Sequence, residues 1–402
     1  MLGPDRIEVL DISRFDRAEI HGAIMDDLAA HMEQTKHEHT LDLTPYDVER
    51  DKADVYREQK RKFGRRILKR IMIGVGILLL VPIAAGSLAV LEVAVDRRTG
   101  PAGADYWIID RFQGHLTNLT AAMSEFGLIF FFGAILFFVI WHTAEFFTIR
   151  ARVLAPRAKE VLATDKRCPV LLIRSFLDDE APIYRVVAKS APKGGVMWSI
   201  EESRFEEAFA PELSKYGPLI AVGNPSDELP DLGAARARFS DATWREPVLA
   251  MIEQSRVIVL TAGMKPATPA EQAACLSRGD LLALLDLTPG VRWEVEHILG
   301  KDLQNKMLVL FKPRRLSWFD SFMVLTGIAQ TIDFLKWLFG RNQRPAAVKL
   351  SQALVLHMAR DGRVVVAQAD KRLDTADDYQ CALRLAIHRM LVGQSASKPL
   401  PG

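Results

Sequence analysis

The stretch TPGVRWEVEHIL, residues 288–299, has the pattern of an amphipathic helix start. Thr288 is a favoured N-cap residue, and Pro289 suits the first helical position, which needs no backbone donor. The apolar residues recur at helical spacing and form one face: Val291, Val295, Ile298 and Leu299. At about 100° per residue, Glu294 falls on the flank of this face and Glu296 points further towards water. We therefore expect Glu294 to be a partly buried acid one turn into a helix.

Apolar runs of strand length alternate with helical segments around this stretch. The expected strands are 170–173, 218–223, 256–261 and 307–311, and the expected helices between them are 205–216 and 244–254. Short connections between strands and helices predict an α/β fold, a doubly wound parallel sheet over residues 160–312. Ligands of such sheets bind at the carboxyl ends of the strands, where the strand order reverses. We expect a site where the loops 174–179 and 224–238 meet the start of the Glu294 helix.

The C-terminal region, 313–402, predicts further elements that complete or flank the α/β domain. Residues 354–356 and 364–366 have strand character, and 377–391 has helical character. The segment 316–339 is rich in aromatic residues and flanked by arginines. It is expected either to lie on the inner membrane surface or to cover the sheet.

Two apolar blocks, about 71–91 and 122–142, predict a transmembrane hairpin over residues 67–150. The first block has no charged residue and would be about 31 Å long as a helix, which matches a hydrocarbon core of roughly 30 Å. Basic residues precede the first block and follow the second, whereas the intervening loop holds few. The positive-inside rule then predicts an inner-membrane protein with two spans and both termini in the cytoplasm. Residues 1–66 are expected to be a polar cytoplasmic region with one helix near 14–34.

Composition limits the classes of partner. The net charge is +2 with 25% charged residues, so nothing in the overall charge argues for nucleic acid. The cysteines Cys168, Cys275 and Cys381 lie far apart, which suits a reducing compartment better than a disulfide framework. No stretch has a distinctive metal-ligand spacing, and the histidines at 31, 37 and 39 favour a solvated linker over a metal site.

The order of elements and two short motifs resemble the TIR (Toll/interleukin-1 receptor-like) domain, in a form attached to membrane helices in bacteria. Arg174-Ser175-Phe176 followed by Asp178 resembles the Ser-aromatic-basic…Asp signature that ends the first strand of that family. Trp293 followed by an acid resembles the tryptophan-then-glutamate pattern of its third helix, although the family has more residues between the two. Gly290…Trp293-Glu294 is instead similar to nucleoside deoxyribosyltransferases, whose glutamate attacks a nucleoside sugar.

Both resemblances imply cleavage of an N-glycosidic bond, with NAD or a related nucleotide as the substrate and no separate cofactor or metal. Such reactions pass through an oxocarbenium-like state, which a carboxylate stabilises or attacks. Glu294 would be that catalytic carboxylate. Substrate contacts would come from the first-strand motif, with Phe176 or Trp293 stacking on the base and Arg174 or Arg236 meeting phosphates.

Other interpretations remain open at the level of the sequence. Trp293 could simply pack on a neighbouring segment, and Arg174 could form a salt bridge to Asp178 or Asp179. The alternative function is a non-catalytic signalling module that self-associates as a homo-oligomer at the membrane.

Overall fold

A computed structural model describes residues 7–12, 17–34, 37–48, 50–99, 114, 127–174, 182–190, 196–223, 233–240, 242–265, 268, 271, 275, 281–313, 352–359, 363–369 and 375–391. The chain forms two compact units. One unit comprises residues 1–49 and 155–402, and the other is the intervening segment 50–154. We call the first the α/β unit and the second the helical unit.

The α/β unit contains a central sheet and a separate β-hairpin. Its strands are β1 (Ile7–Asp11), β2 (Val170–Arg174), β3 (Pro182–Ser190), β4 (Val196–Arg204), β5 (Leu219–Val222), β6 (Ala235–Ala237), β7 (Val257–Met264), β8 (Leu285–Asp286), β9 (Met307–Phe311), β10 (Ala353–Met358) and β11 (Val364–Gln368). In the central sheet the order is β1-β11-β10-β9-β7-β2-β5-β6, with β8 paired to β7. Neighbours from β9 to β6 are parallel, as are β1 and β11, whereas β10 is antiparallel to both of its neighbours. The predicted α/β class with a mostly parallel sheet is confirmed.

Helices cover both faces of this sheet. In chain order the α-helices of the described residues are α1 (Arg17–Gln34), α2 (Lys52–Thr99), α3 (Gly127–Leu154), α4 (Ala158–Thr164), α5 (Phe205–Leu213), α6 (Arg245–Gln254), α7 (Leu281–Leu284), α8 (Pro289–Gly300) and α9 (Ala376–Leu391). Side chains alternate along each strand, so β2 sends Val170 and Leu172 to one core and Leu171 and Ile173 to the other. The first core, which we call the α5 face, also contains residues of α1, α5 and α9. The second, the α8 face, contains residues of α4, α6 and α8. Strands buried on both sides explain the continuous apolar runs in the sequence.

Residues 1–49 belong to the α/β unit. The sequence instead predicts a separate N-terminal region that ends at residue 66. β1 pairs in parallel with β11, from Ile7 opposite Val364 to Asp11 opposite Gln368. Two residues of α1, Ile24 and Leu28, are buried in the core of the α5 face.

At the other end of the chain, β10, β11 and α9 complete the unit, whereas the aromatic segment 316–339 lies outside the described residues. The hairpin β3–β4 and the short strands β1, β6 and β8 were not predicted from the sequence.

The helical unit contains two long helices. α2 is 48 residues long and α3 is 28. They contact each other near residues 63–70 and 142–146, where Arg66 and Arg70 both donate to the carboxylate of Glu145, at 2.7 and 2.9 Å. Among the described residues, one helical segment, Gly133–Leu154, is long and apolar enough to cross a membrane. It ends 12 residues beyond the predicted second span. The first predicted span, 71–91, lies within α2, but most of its side chains lie outside the described ones, so the two-span hairpin remains a prediction.

Candidate functional site

A cavity of about 160 Å³ lies at the carboxyl ends of β2 and β5, on the α8 face. Its floor comes from the last residues of these strands, including Ile173 and Val222. Phe239 and Trp244 form an aromatic wall, and residues of the first two turns of α8 also line the cavity. The strand-helix pattern of the sequence predicts a site where the loops after β2 and β5 meet the start of α8. The cavity lies there.

Glu294 lines this cavity. The sequence predicts it as a partly buried acid one turn into α8. Its side chain is only 8% exposed, whereas Glu296 is exposed, so the predicted difference in burial is confirmed. Burial raises the pKa of Glu294 to about 8 because water no longer stabilises its charged form. Among the described residues, Glu294 has neither a hydrogen-bond nor an ion-pair partner. A buried carboxyl without partners is costly to keep in a fold, which makes it a candidate for function.

The first turn of α8 presents open backbone to the cavity. Thr288 is the N-cap, as predicted, but its side chain makes no capping hydrogen bond. In the described part of the chain, the first helical bond at this end is Arg292 N–H to the Thr288 carbonyl, at 2.9 Å. A Cβ atom placed on Gly290 would meet no other atom within 4 Å. The N-terminal turn therefore leaves room for a ligand beside Glu294.

Arg174 and Arg236 come together at Glu206 of α5, and Arg174 also lines the cavity that contains Glu294. Both guanidinium groups donate to the same carboxylate oxygen of Glu206, at 2.8 and 2.7 Å. The other oxygen of Glu206 accepts the Ala234 N–H at 2.8 Å. All three charged side chains are at least nine-tenths buried. Phosphate binding by either arginine stays a prediction. Both arginines pair with Glu206, a residue that was not among the predicted site residues.

Gly233 fits the cluster of Arg174, Arg236 and Glu206 for a steric reason. Its φ of +127° is a conformation that side-chain-bearing residues rarely adopt. A Cβ atom there would lie 2.8 Å from a carboxylate oxygen of Glu206. The glycine therefore allows the chain to pass close to Glu206 before β6 begins.

Trp293 packs outside the cavity, against the start of α6. Its ring meets the edge of Trp244 with centroids 5.0 Å apart, and it stacks on His297 at 6.2 Å. The guanidinium of Arg245 lies 5.4 Å from the Trp293 ring centre. These contacts agree with the alternative interpretation of Trp293, in which it packs on a neighbouring segment. The aromatic side chains in the cavity wall are Phe239 and Trp244, and the only sequence signal for Trp244 was its place at the start of a predicted helix.

Several predicted residues lie outside the described residues. These are Ser175, Phe176 and Asp178, together with Asp179 as the alternative partner of Arg174. Within the described part of the chain, no cluster of three or more histidine, cysteine or acidic side chains has a geometry that could hold a metal ion.

Comparison with known proteins does not assign this chain to a family. No protein-family model, curated protein or solved structure matches it.

Proposed function

We propose that the α/β unit is a membrane-anchored TIR-like domain that cleaves the N-glycosidic bond of NAD or a related nucleotide, with Glu294 as the catalytic carboxylate. The observation that carries this proposal is Glu294 itself: a buried carboxyl without a described partner in a cavity at the carboxyl ends of parallel strands. In open α/β sheets this edge is where ligands bind.

The strand order supports the finer fold assignment. The four parallel strands β5-β2-β7-β9 have the order 2-1-3-4 in chain sequence, which is the flavodoxin-like order. The order reverses beside β2, so the crevice opens at its carboxyl end. Two features depart from a simple five-stranded sheet: β6 extends the β5 edge, and the antiparallel β10 stands where a fifth parallel strand would be.

The size and lining of the cavity suit one flat ring. An apolar cavity of about 150 Å³ holds a molecule of benzene, and this cavity measures about 160 Å³. Phe239 and Trp244 provide aromatic surface, and Glu294 provides the one acidic group of the lining. A nucleobase or pyridinium ring therefore fits, and the sugar attached to it would extend towards the loops that follow β2 and β5.

The charge state of Glu294 limits how it can act. With a pKa of about 8, most Glu294 side chains carry a proton at neutral pH. A cationic ring, such as the pyridinium of oxidised NAD, would favour the ionised form because opposite charges attract strongly in a desolvated site. The ionised carboxylate would then stabilise the cationic sugar as the bond to the ring breaks.

Membrane anchoring is the second part of the proposal. The helical unit exposes large apolar side chains of the kind that lipid would cover, including Met72, Phe137, Ile140 and Trp141. It is also inserted within the α/β unit, because residues 1–49 and 155–402 fold together. A folded unit lies on one side of a bilayer, so the inserted segment must cross an even number of times. Two spans satisfy this requirement.

The test is NAD consumption by the full-length protein in detergent or nanodiscs. The full chain is needed because a fragment that begins after the helical unit lacks β1 and α1. We expect Glu294→Gln to remove nearly all turnover while the unfolding midpoint is kept or raised. The matched control is Glu296→Gln, an exposed acid two residues away on the same helix, and it should cost little. Wild-type turnover in Glu294→Gln would contradict the catalytic assignment, and absence of turnover in the wild type would leave the non-catalytic signalling module.

A further inference from the structure

The segment that leads into the helical unit also holds one wall of the Glu294 cavity. Residues 37–48, which we call the strap, connect α1 to α2 and lie on the α8 face of the α/β unit. Leu41 and Leu43 are buried in the same core as Phe239 and Val248, two residues that line the cavity. The strap is therefore part of the packing behind the aromatic wall.

The first half of the strap is fixed to the elements that flank this wall. The His39 N–H donates to the Lys166 carbonyl at 3.0 Å, just after α4. Both the backbone N–H and the hydroxyl of Thr40 donate to the Gln254 side chain at the end of α6, at 3.0 and 3.3 Å. These bonds attach the strap to the first helix after the helical unit and to α6.

The second half of the strap contacts both ends of the segment that carries the aromatic wall. The Val48 N–H donates to the carbonyl of Arg238 at 3.2 Å, next to Phe239. The Tyr46 hydroxyl donates to the carboxylate of Glu246, a bond that raises the pKa of Tyr46. Residues 238 and 246 bracket Phe239 and Trp244, so a displacement of the strap must move or release the segment between them.

In sequence the strap ends at residue 48, and the helical unit begins at residue 50. Asp47 pairs with Lys159 of α4, which is the first helix after α3. The ion pair thus joins the chain just before the helical unit to the chain just after it.

We propose that the strap couples the helical unit to the Glu294 cavity, so that a change in the membrane helices opens or closes the wall formed by Phe239 and Trp244. This regulation rests on the proposed function, because it takes the cavity as the active site and the helical unit as the membrane anchor. This coupling requires that the wall has an open and a closed conformation, and that the position of the strap changes the equilibrium between the two. Hydrogen bonds such as those of Tyr46 and Val48 are individually weak enough to exchange during function.

The test follows amide hydrogen exchange of residues 236–248 in the full-length protein, a readout that does not depend on turnover. Tyr46→Phe removes only the hydroxyl that bonds to Glu246, and exchange in 236–248 should rise by about fivefold or more. The matched control is Tyr216→Phe, which removes a similar bond to Glu212, at 3.2 Å, on the α5 face. The control should leave exchange in 236–248 unchanged. Equal exchange in Tyr46→Phe and the wild type would overturn the role of the strap.

The link to the membrane is tested in nanodiscs made from short-chain and long-chain phosphatidylcholine. Bilayer thickness changes the tilt of spanning helices, and we expect it to change exchange in both 37–48 and 236–248 of the wild type. In Tyr46→Phe the response should persist in 37–48 and be lost in 236–248. A wild type whose 236–248 segment does not respond to thickness would overturn the coupling. If the wild type shows the expected exchange response but does not cleave NAD, the proposed function is contradicted and the coupling through the strap is not.

Discussion

At the residue scale, two buried glutamates near the carboxyl end of β2 have opposite surroundings. Glu206 accepts hydrogen bonds from Arg174, Arg236 and the Ala234 backbone. Glu294 is equally buried but has no partner among the described residues. A satisfied buried charge stabilises one arrangement of the chain, whereas an unsatisfied one costs stability. We therefore assign a structural role to Glu206 and propose the chemical role for Glu294.

The unfolding free energy should depend on pH through Glu294. Its pKa is about 8 in the folded protein, above the 4.5 of an ordinary glutamate, so between these pH values the folded state binds more protons than the unfolded state. Stability must then fall as pH rises from about 4.5 to about 8, with a slope of up to about 1.4 kcal/mol per pH unit. Urea unfolding of wild type and Glu294→Gln, followed by tryptophan fluorescence at several pH values, measures the difference. Parallel curves for the two proteins would contradict the raised pKa.

Activity should follow the same ionisation. If the carboxylate form of Glu294 is the active one, turnover at saturating substrate should rise with pH and level off above the pKa of Glu294 in the complex. A cationic substrate should move this midpoint below 8, because its charge favours the carboxylate. The measurement is kcat against pH for oxidised NAD, compared with an uncharged nucleoside if one is cleaved. A rate that falls as pH rises from about 5 to 8 would instead identify the protonated acid as the active form.

Gly233→Ala should destabilise the α/β unit by about 1–3 kcal/mol, because of its positive φ and the close approach of Glu206. Gly290→Ala is the matched control. Its added methyl group meets no atom within 4 Å, and alanine is the better helix former. Chemical denaturation of both variants gives the comparison, and equal midpoints would argue against a steric role for Gly233.

At the element scale, α9 ties the C-terminal region to the sheet and to α5. The hydroxyl of Tyr379 donates to the carbonyl of Phe311, at the end of β9, at 2.9 Å. Arg384 donates through two nitrogens to the carboxylate of Glu212 on α5, at 3.0 and 2.8 Å. These bonds make the C-terminal helix an integral part of the unit.

Tyr379→Phe should therefore lower the unfolding free energy by about 1–2 kcal/mol, because the buried Phe311 carbonyl loses its donor. Tyr46→Phe provides the contrast, because Tyr46 is only half-buried. Loss of its hydroxyl should affect the local segment more than the global unfolding free energy. Denaturation midpoints of the two variants measure this. A larger global loss in Tyr46→Phe would show that the strap is more central to the fold than α9.

At the scale of the whole molecule, the helical unit interrupts the α/β unit in sequence. Residues 1–49 contribute an edge strand and a helix, and residues 155–402 contribute the rest. The α/β unit can therefore form only after the helical unit has been synthesised. Both ends of any membrane-crossing segment must emerge on the same side.

Cysteine labelling tests this topology in a background without the native cysteines. We expect an impermeant thiol reagent added from outside to label Asp105→Cys, and to leave Lys60→Cys and Glu160→Cys unlabelled until the membrane is permeabilised. Basic residues at the two inner ends of the hairpin give the physical reason. Labelling of position 60 or 160 from outside would contradict the predicted orientation, and labelling of only one of them would contradict an even number of spans.

The sequence by itself determined the elements whose burial is periodic or continuous. The strands β2, β5, β7 and β9 are apolar on both faces, and their positions were predicted within three residues at each end. Helical periodicity likewise predicted that Glu294 is buried and Glu296 exposed. These features depend on neighbours within about two helical turns or on the pattern of a single strand, which local sequence encodes.

Only the tertiary structure decided which distant residues meet. It paired β1 with β11, brought Glu206 to Arg174 and Arg236, and packed Trp293 on Trp244. It also brought Arg174 and Glu294 to the lining of one cavity, while the Arg174 guanidinium pairs with Glu206. Such contacts join residues from different elements, and they depend on the sheet order and on which face each strand residue points to. A local apolar pattern constrains neither, because it is satisfied by burial against any partner.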